Sequence, residues 1–195
     1  MKVLLEYACS EISIKNSRFI AELFPVTSQK EAREKLHEQK IKYSDASHVV
    51  HAFLVGKNAE ISGMSDDGEP SGTAGRPVLD VLKGSGITDL ILTVTRYFGG
   101  TLLGTGGLVH AYGDSAKAVL EICKSEEYVP KTNFSFHADY SLYETLKRSF
   151  ADFHIEKLKE EFSSDVFVSG IIWQSEKEYF SMKVKNLSNG KIQEI

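Results

Sequence analysis

In the stretch SDDGEPSGTAGRPV, Ser65–Val78, three carboxylates (Asp66, Asp67, Glu69) alternate with three glycines (Gly68, Gly72, Gly75), and Thr73 lies between the last two. Carboxylates this close could relay a proton or contribute oxygen ligands to a hard cation. Glycines ahead of a helix do the reverse, opening backbone N–H groups to an anion. A second glycine-rich stretch, GGTLLGTGG, contains Gly99, Gly100, Gly104, Thr105, Gly106 and Gly107, and also precedes a helix. Neither matches a phosphate fingerprint. Gly75 is followed by Arg76 and Pro77 where a P-loop has Lys-Ser/Thr, and Val109 stands where the dinucleotide pattern has its third glycine.

The acids are read as turn and cap residues that order their loop, because Asp and Glu bond nearby N–H groups at turns and helix starts. No metal and no cofactor is expected. Arg76 and Arg96 supply cationic charge beside the loops. Arg96 has two fates, an ion pair with Asp67 or Glu69 or a contact with phosphate, and a shared role is expected in which its outer N–H groups stay free. Tyr97 and Phe98 end an apolar strand, where they either stack on a base or plug the sheet. His48 and His51 have the spacing of a metal-binding pair, but residues three apart on a strand face opposite sides. His48 alone could carry a proton, or be a hydrogen-bonded structural histidine.

The elements that must position these residues follow from periodicity. Two strands, about 10–15 and 18–24, flank an Asn16-Ser17 turn; Ser28 caps an amphipathic helix; SHVVHAFLVG is a strand closed by Gly56. AGRPVLDVLKGSG is read as a helix ended by Gly84, TDLILTVTRYF as an interior strand, and LVHAYGDSAKAVLEIC as a helix with a Leu108–Tyr112–Ala116–Val119–Cys123 stripe. The pattern breaks near Pro130. Beyond it the order strand–helix–strand–strand–helix–strand, ending in KIQEI, is the split-βαβ, ferredoxin-like plan. The expected fold class is therefore α+β in two domains, residues 1–128 and 129–195. Twelve of the 15 glycines fall between Gly63 and Gly113, which places function in the first domain.

Composition narrows the function classes. Net charge is −4, spread as 14 Lys+Arg against 17 Asp+Glu in residues 1–130 and 9 against 10 in residues 131–195. No basic block exists to drive sequence-independent nucleic-acid binding. Cys9 and Cys123 form no CxxC or zinc spacing, Glu6 interrupts any signal-peptide core, and no apolar run reaches membrane-span length. No membrane association is expected, and the protein is read as cytoplasmic.

SDDGEPSGTAGRPVL (65–79) and TVTRYFGGTLLGTGGLVHAYGDSA (93–116), with KNSRFIA and DASHVVHAFLVG, resemble the signature of the IMPACT/YigZ family across essentially the whole chain. The resemblance is to the bacterial form, with a second domain following the first. It implies a first domain similar to domain 2 of small-subunit ribosomal protein five, and a ferredoxin-like second domain similar to domain five of the translocation elongation factor. Eukaryotic members of that family regulate translation by competing for the activator of an amino-acid-starvation kinase; bacterial members resemble nucleic-acid- or ribosome-binding proteins. Asp66, Asp67, Gly68, Glu69, Pro70, Gly72, Thr73, Gly75, Arg96, Tyr97, Gly99, Gly100, Gly104, Gly106 and Gly107 match its pattern, whereas Phe98 stands where tyrosine is frequent and His51 where an aromatic is usual. The expectation is a non-enzymatic, translation-related regulator that binds RNA, the ribosome or a translation factor through the glycine-rich loops. The rival is an enzyme for a small phosphorylated or peptide substrate, working with His48 and the Asp66/Asp67/Glu69 loop; a third reading is a protein–protein module that sequesters a translation regulator, with a protein partner in translational control.

Overall fold

The computed structural model describes residues 1–192, which divide into two compact units, Met1–Tyr128 and Val129 onward. The class is α+β. In the first unit, β2 (Ala8–Ile14), β3 (Ser17–Pro25), β4 (His48–Val55), β5 (Ile61–Ser65) and β7 (Leu90–Tyr97) form one antiparallel sheet in the order β2-β3-β7-β4-β5. β1 (Lys2–Leu4), β6 (Ile87–Thr88) and β8 (Ser125–Glu127) make a small second sheet.

β7 is buried from Leu90 to Arg96 because helices cover both faces of its sheet. On one face, α2 (Gly75–Ser85) and α3 (Gly104–Ile122) pack Val78, Leu82, Leu108, Tyr112 and Val119 against Phe19, Leu23, Val50, Leu90, Leu92 and Val94. On the other, α1 (Gln29–Lys42) seats Ala32 and Leu36 on Phe24, Phe53, Val55 and Ile91. Its start is fixed by Ser28 Oγ, which accepts from the Glu31 amide, while Glu31 reaches back to the Thr27 amide.

Local sequence reading misplaces several boundaries. The β2–β3 turn is Lys15-Asn16, both at positive φ (46° and 66°), and Ser17 already pairs with Ile14. Two consecutive left-handed residues give the tight hairpin twist. α2 ends at Gly86, whose φ of 70° makes the left-handed cap, and Gly84 lies inside the helix. Ile61–Ser65, for which the sequence pattern indicates no element, pairs with β4, and the segment before Pro130 begins as β8 on β1. These edge strands are short and carry little alternation.

The second unit has β9 (Lys131–Ala138), α4 (Tyr140–Ser149), a 3-10 turn (Phe150–Asp152), β10 (Ile155–Phe162), β11 (Val166–Trp173) and α5 (Lys177–Leu187). Its antiparallel order β10-β11-β9 is that of the first three strands of a split βαβ unit. Phe134, Phe136, Leu146, Phe150, Val168, Ile172, Phe180 and Val184 form its core. Of the expected closing strand KIQEI, Lys191 and Ile192 are described, without strand structure and with Ile192 packed on that core, and the rest lies outside the described residues.

Candidate functional site

β5 delivers Ser65 to the start of the acidic loop, and each carboxylate there has a fixed partner. Asp66 accepts the amides of Gly72 (2.8 Å), Ala74 (3.1 Å) and Gly75 (2.8 Å). Burial pushes its carboxyl pKa up, but these three N–H bonds outweigh burial and hold it below the usual value. Asp67, at φ 47°, accepts the Val49 amide at 2.7 Å and pairs with Lys40 of α1. Glu69, with 3% of its side chain exposed, accepts Arg96 Nη1 at 2.6 Å and the Tyr112 hydroxyl at 2.8 Å. Burial, then the Glu69 charge, pushes the Tyr112 hydroxyl pKa well above its ordinary value, so it stays a donor. Among the described residues, no group of three or more His, Cys, Asp or Glu side chains could hold a metal ion.

The loop therefore pins the end of β7. Arg96 is buried, with 7% of its side chain exposed, between Glu69 and the rings of Phe19 and Phe98 at 5.6 and 5.5 Å. Its Nη2 has only a 3.5 Å contact with Ser17 Oγ, and its Nε has no partner. The expected outer N–H groups are thus on the floor of a cleft and not at an exposed rim. Gly99 lies so close to the β2–β3 hairpin that a Cβ would stand 2.0 Å from the Asn16 carbonyl carbon. Only glycine lets the chain turn there and carry Phe98 outward.

A cleft of about 550 Å³ opens above this ion pair. Ser47, His48, Glu69 and Arg96 form its polar floor; Pro70, Phe98, Leu102, Leu103 and Leu108 its apolar walls; Gly104 and Thr105 bring in the start of α3. Phe98 is 48% exposed and Leu102 82%. His48 Nδ1 lies 2.8 Å from the Asp67 carbonyl, which can only accept, so Nδ1 carries the proton. Its Nε2 lies 3.9 Å from Glu69 Oε1.

The two glycine-rich loops differ in what they leave open. At α2 the Asp66 carboxylate already occupies the amides of Ala74 and Gly75, and Pro77 has no N–H. At α3 no side chain caps the first turn and no acidic residue stands in it. A helix leaves its first amides without intrahelical partners and carries partial positive charge there. Of these two helix starts, that of α3 is the one without a carboxylate on its first amides.

Of the residues singled out from sequence, the cleft gathers His48, Gly68, Glu69, Pro70, Arg96, Phe98, Gly104 and Thr105, with Gly106 and Gly107 next in the first turn of α3. Gly72, Thr73 and Gly75 serve the Asp66 turn, where Thr73 Oγ1 donates to the Pro70 carbonyl, and Gly100 holds the following loop at φ 82°. Arg76 is not at the cleft; it pairs with Asp80 one turn along the surface of α2. Tyr97 faces the opposite side of the sheet from Arg96, donates to Asp45 at 2.9 Å and lies under Arg18. Tyr97 and Phe98 therefore do not form one stacking surface. Sequence reasoning missed Tyr112, which the helical stripe hid as a core residue, and Ser17, whose hydroxyl accepts the Gly99 amide at 3.2 Å.

His51 lies on the α1 face of the sheet, in register with Thr93 of β7, and its Nδ1 is buried without a partner. Burial, then the nearby Lys40 charge, pushes its pKa down to about 4, with Asp67 acting in the opposite direction. It and His48 cannot serve one ion.

Residues 15–120 match the Impact N-terminal domain. The chain is 37% identical to an IMPACT family member of Haemophilus influenzae over 93% of its own length and 89% of that protein. It is 31% identical to IMPACT family member YigZ of Escherichia coli, over 92% and 89% of the two chains. Among solved structures, a crystal structure of a hypothetical protein is 29% identical and covers 98% of this chain and 94% of its own, at a TM-score of 0.73. No helix among the described residues is long and apolar enough to cross a membrane.

Proposed function

The chain belongs to the IMPACT family, and from that premise we propose that it is a translation-related regulator that binds RNA, free or in the ribosome, through the cleft of its first unit and without catalysing a reaction. The observation that carries this reading is the uncapped start of α3, which opens beside a half-exposed Phe98 and above the buried Arg96–Glu69 pair. An open helix start supplies N–H donors for a phosphate, Phe98 an aromatic face for a base, and the buried pair a rigid floor. Such a protein works in the cytoplasm, where ribosomes are. One observation favours an acid–base enzyme as a second reading: His48 Nε2 and Glu69 stand 3.9 Å apart in the same cleft.

Co-sedimentation with ribosomes and titration of single-stranded RNA at two salt concentrations test the proposal. Phe98→Ala is expected to weaken RNA binding by roughly tenfold, the scale of one lost base stack of about 1–3 kcal/mol. The salt dependence should be shallow, near one or two phosphate contacts, because Arg96 is already neutralised by Glu69. Binding that survives ribonuclease and ignores Phe98→Ala would assign the cleft to a translation factor. Substrate turnover lost in His48→Gln would favour the enzyme.

A further inference from the structure

We propose that α1 is a cover that releases from the sheet as a unit, at a cost well below that of global unfolding, and that its release loosens the Ser47–His48 side of the cleft. The inference holds whatever the cleft binds. β3, β7 and β4 set their α1-facing side chains in cross-strand rows. The row Phe24–Ile91–Phe53 is apolar, and Ala32 and Leu36 of α1 seat on it. The next row, Glu22–Thr93–His51, is polar, and Thr95 lies in the row after that. Lys42 bonds Glu22 at one end of the polar row and Lys40 lies near His51 at the other, so the buried Gln39 sits over it.

This polar layer is poorly satisfied. Glu22 Oε2, Gln39 Oε1, His51 Nδ1, Thr93 Oγ1 and Thr95 Oγ1 are buried with no hydrogen-bond partner in the protein, five of the eight such side-chain atoms among the described residues. Each gives up water when α1 closes and forms no bond in exchange. Little apolar burial offsets this. Ala32 and Gln39 are the buried residues of α1, whereas α2 and α3 bury Val78, Leu82, Leu108, Tyr112 and Val119 on the opposite face. Release reaches the cleft through the chain itself. Past Tyr43 it runs through Asp45, which accepts the Tyr97 hydroxyl, to Ser47, whose Oγ accepts the Phe98 amide at 3.1 Å, and then to His48. Lys40 of α1 also pairs with Asp67, whose carbonyl lies 2.8 Å from His48 Nδ1. A departing α1 breaks the Lys40 pair and pulls on the segment that ends at His48.

Native-state hydrogen exchange of the full chain, read by mass spectrometry of its peptides without and with low urea, is the test. Amides of Gln29–Lys42 are expected to be protected at least about a hundredfold less than those of α3, which lies on the same sheet with an apolar seat. Their exchange should rise with urea, because release exposes the Phe24–Ile91–Phe53 row, whereas fraying of single turns exposes little and ignores urea. Peptides over residues 43–48 should show the same urea dependence. Thr93→Val and Gln39→Leu each replace an unpartnered polar atom by an apolar group of similar size, and each should raise α1 protection by roughly fivefold. Protection of α1 within about fivefold of α3, exchange independent of urea, or no rise in either variant overturns the proposal. Residues 43–48 staying protected while α1 exchanges would overturn the link to the cleft.

Discussion

Arg96→Ala is expected to lower the unfolding free energy by about 3–5 kcal/mol, the range for removing one partner of a buried ion pair. The substitution leaves the Glu69 carboxylate, 3% exposed, with the Tyr112 hydroxyl as its hydrogen-bond donor and His48 Nε2 at 3.9 Å. It also removes the planar group between Phe19 and Phe98. Arg96→Lys should recover little, because an ammonium cannot replace the flat guanidinium between two rings. The double replacement Glu69→Leu with Arg96→Met should cost clearly less than Arg96→Ala, since no charge is left stranded, although Tyr112 then loses its acceptor. Urea denaturation of the three variants measures this. A loss below about 1 kcal/mol in Arg96→Ala, the size of an exposed pair, would contradict the buried pairing.

Stability is expected to fall by about 3 kcal/mol between pH 6.5 and pH 4 through His51 alone. The folded pKa is pushed down to about 4 from 6.5, chiefly by burial and then by Lys40, against the pull of Asp67. Within that window the unfolded chain binds the proton and the folded chain does not, so stability is full above pH 6.5 and is lost as pH falls towards 4. Below 4 both states are protonated and the loss is complete. His51→Phe removes the titrating group, so the gap between the parent and variant denaturation midpoints should widen in the variant's favour as pH falls from 6.5 to 4. A gap that stays constant across that range would show that His51 is not buried as neutral imidazole.

The sequence made the frame legible where patterns were long. β7 reads as an interior strand because eight residues, Leu90–Tyr97, carry almost no polar surface signal, and α3 reads from its stripe. The acids reading as loop-ordering groups rests on a local property, the affinity of carboxylates for nearby amides, and the Asp66 bonds are of that kind. What sequence left open was set by contacts far apart in the chain. That Arg96 pairs with Glu69 and not Asp67, and that Tyr112 joins them, depends on α3 returning over the sheet from 43 residues beyond Glu69. Tyr97 and Phe98 looked alike because strand alternation at the last residue, and the turn forced by Gly99, were not visible in composition. Arg76 was placed by proximity in sequence, but a helix surface offered it Asp80 at i+4.

Whether RNA meets the first unit at the cleft beside α3 is decided by ultraviolet crosslinking of the full chain to ribosomes and to single-stranded RNA, with the crosslinked peptides mapped. Crosslinks are expected on Phe98 and on the Leu102–Gly107 segment, reduced in Phe98→Ala at unchanged folding. Crosslinks confined to residues after Val129, or a pattern indifferent to Phe98→Ala, would contradict it.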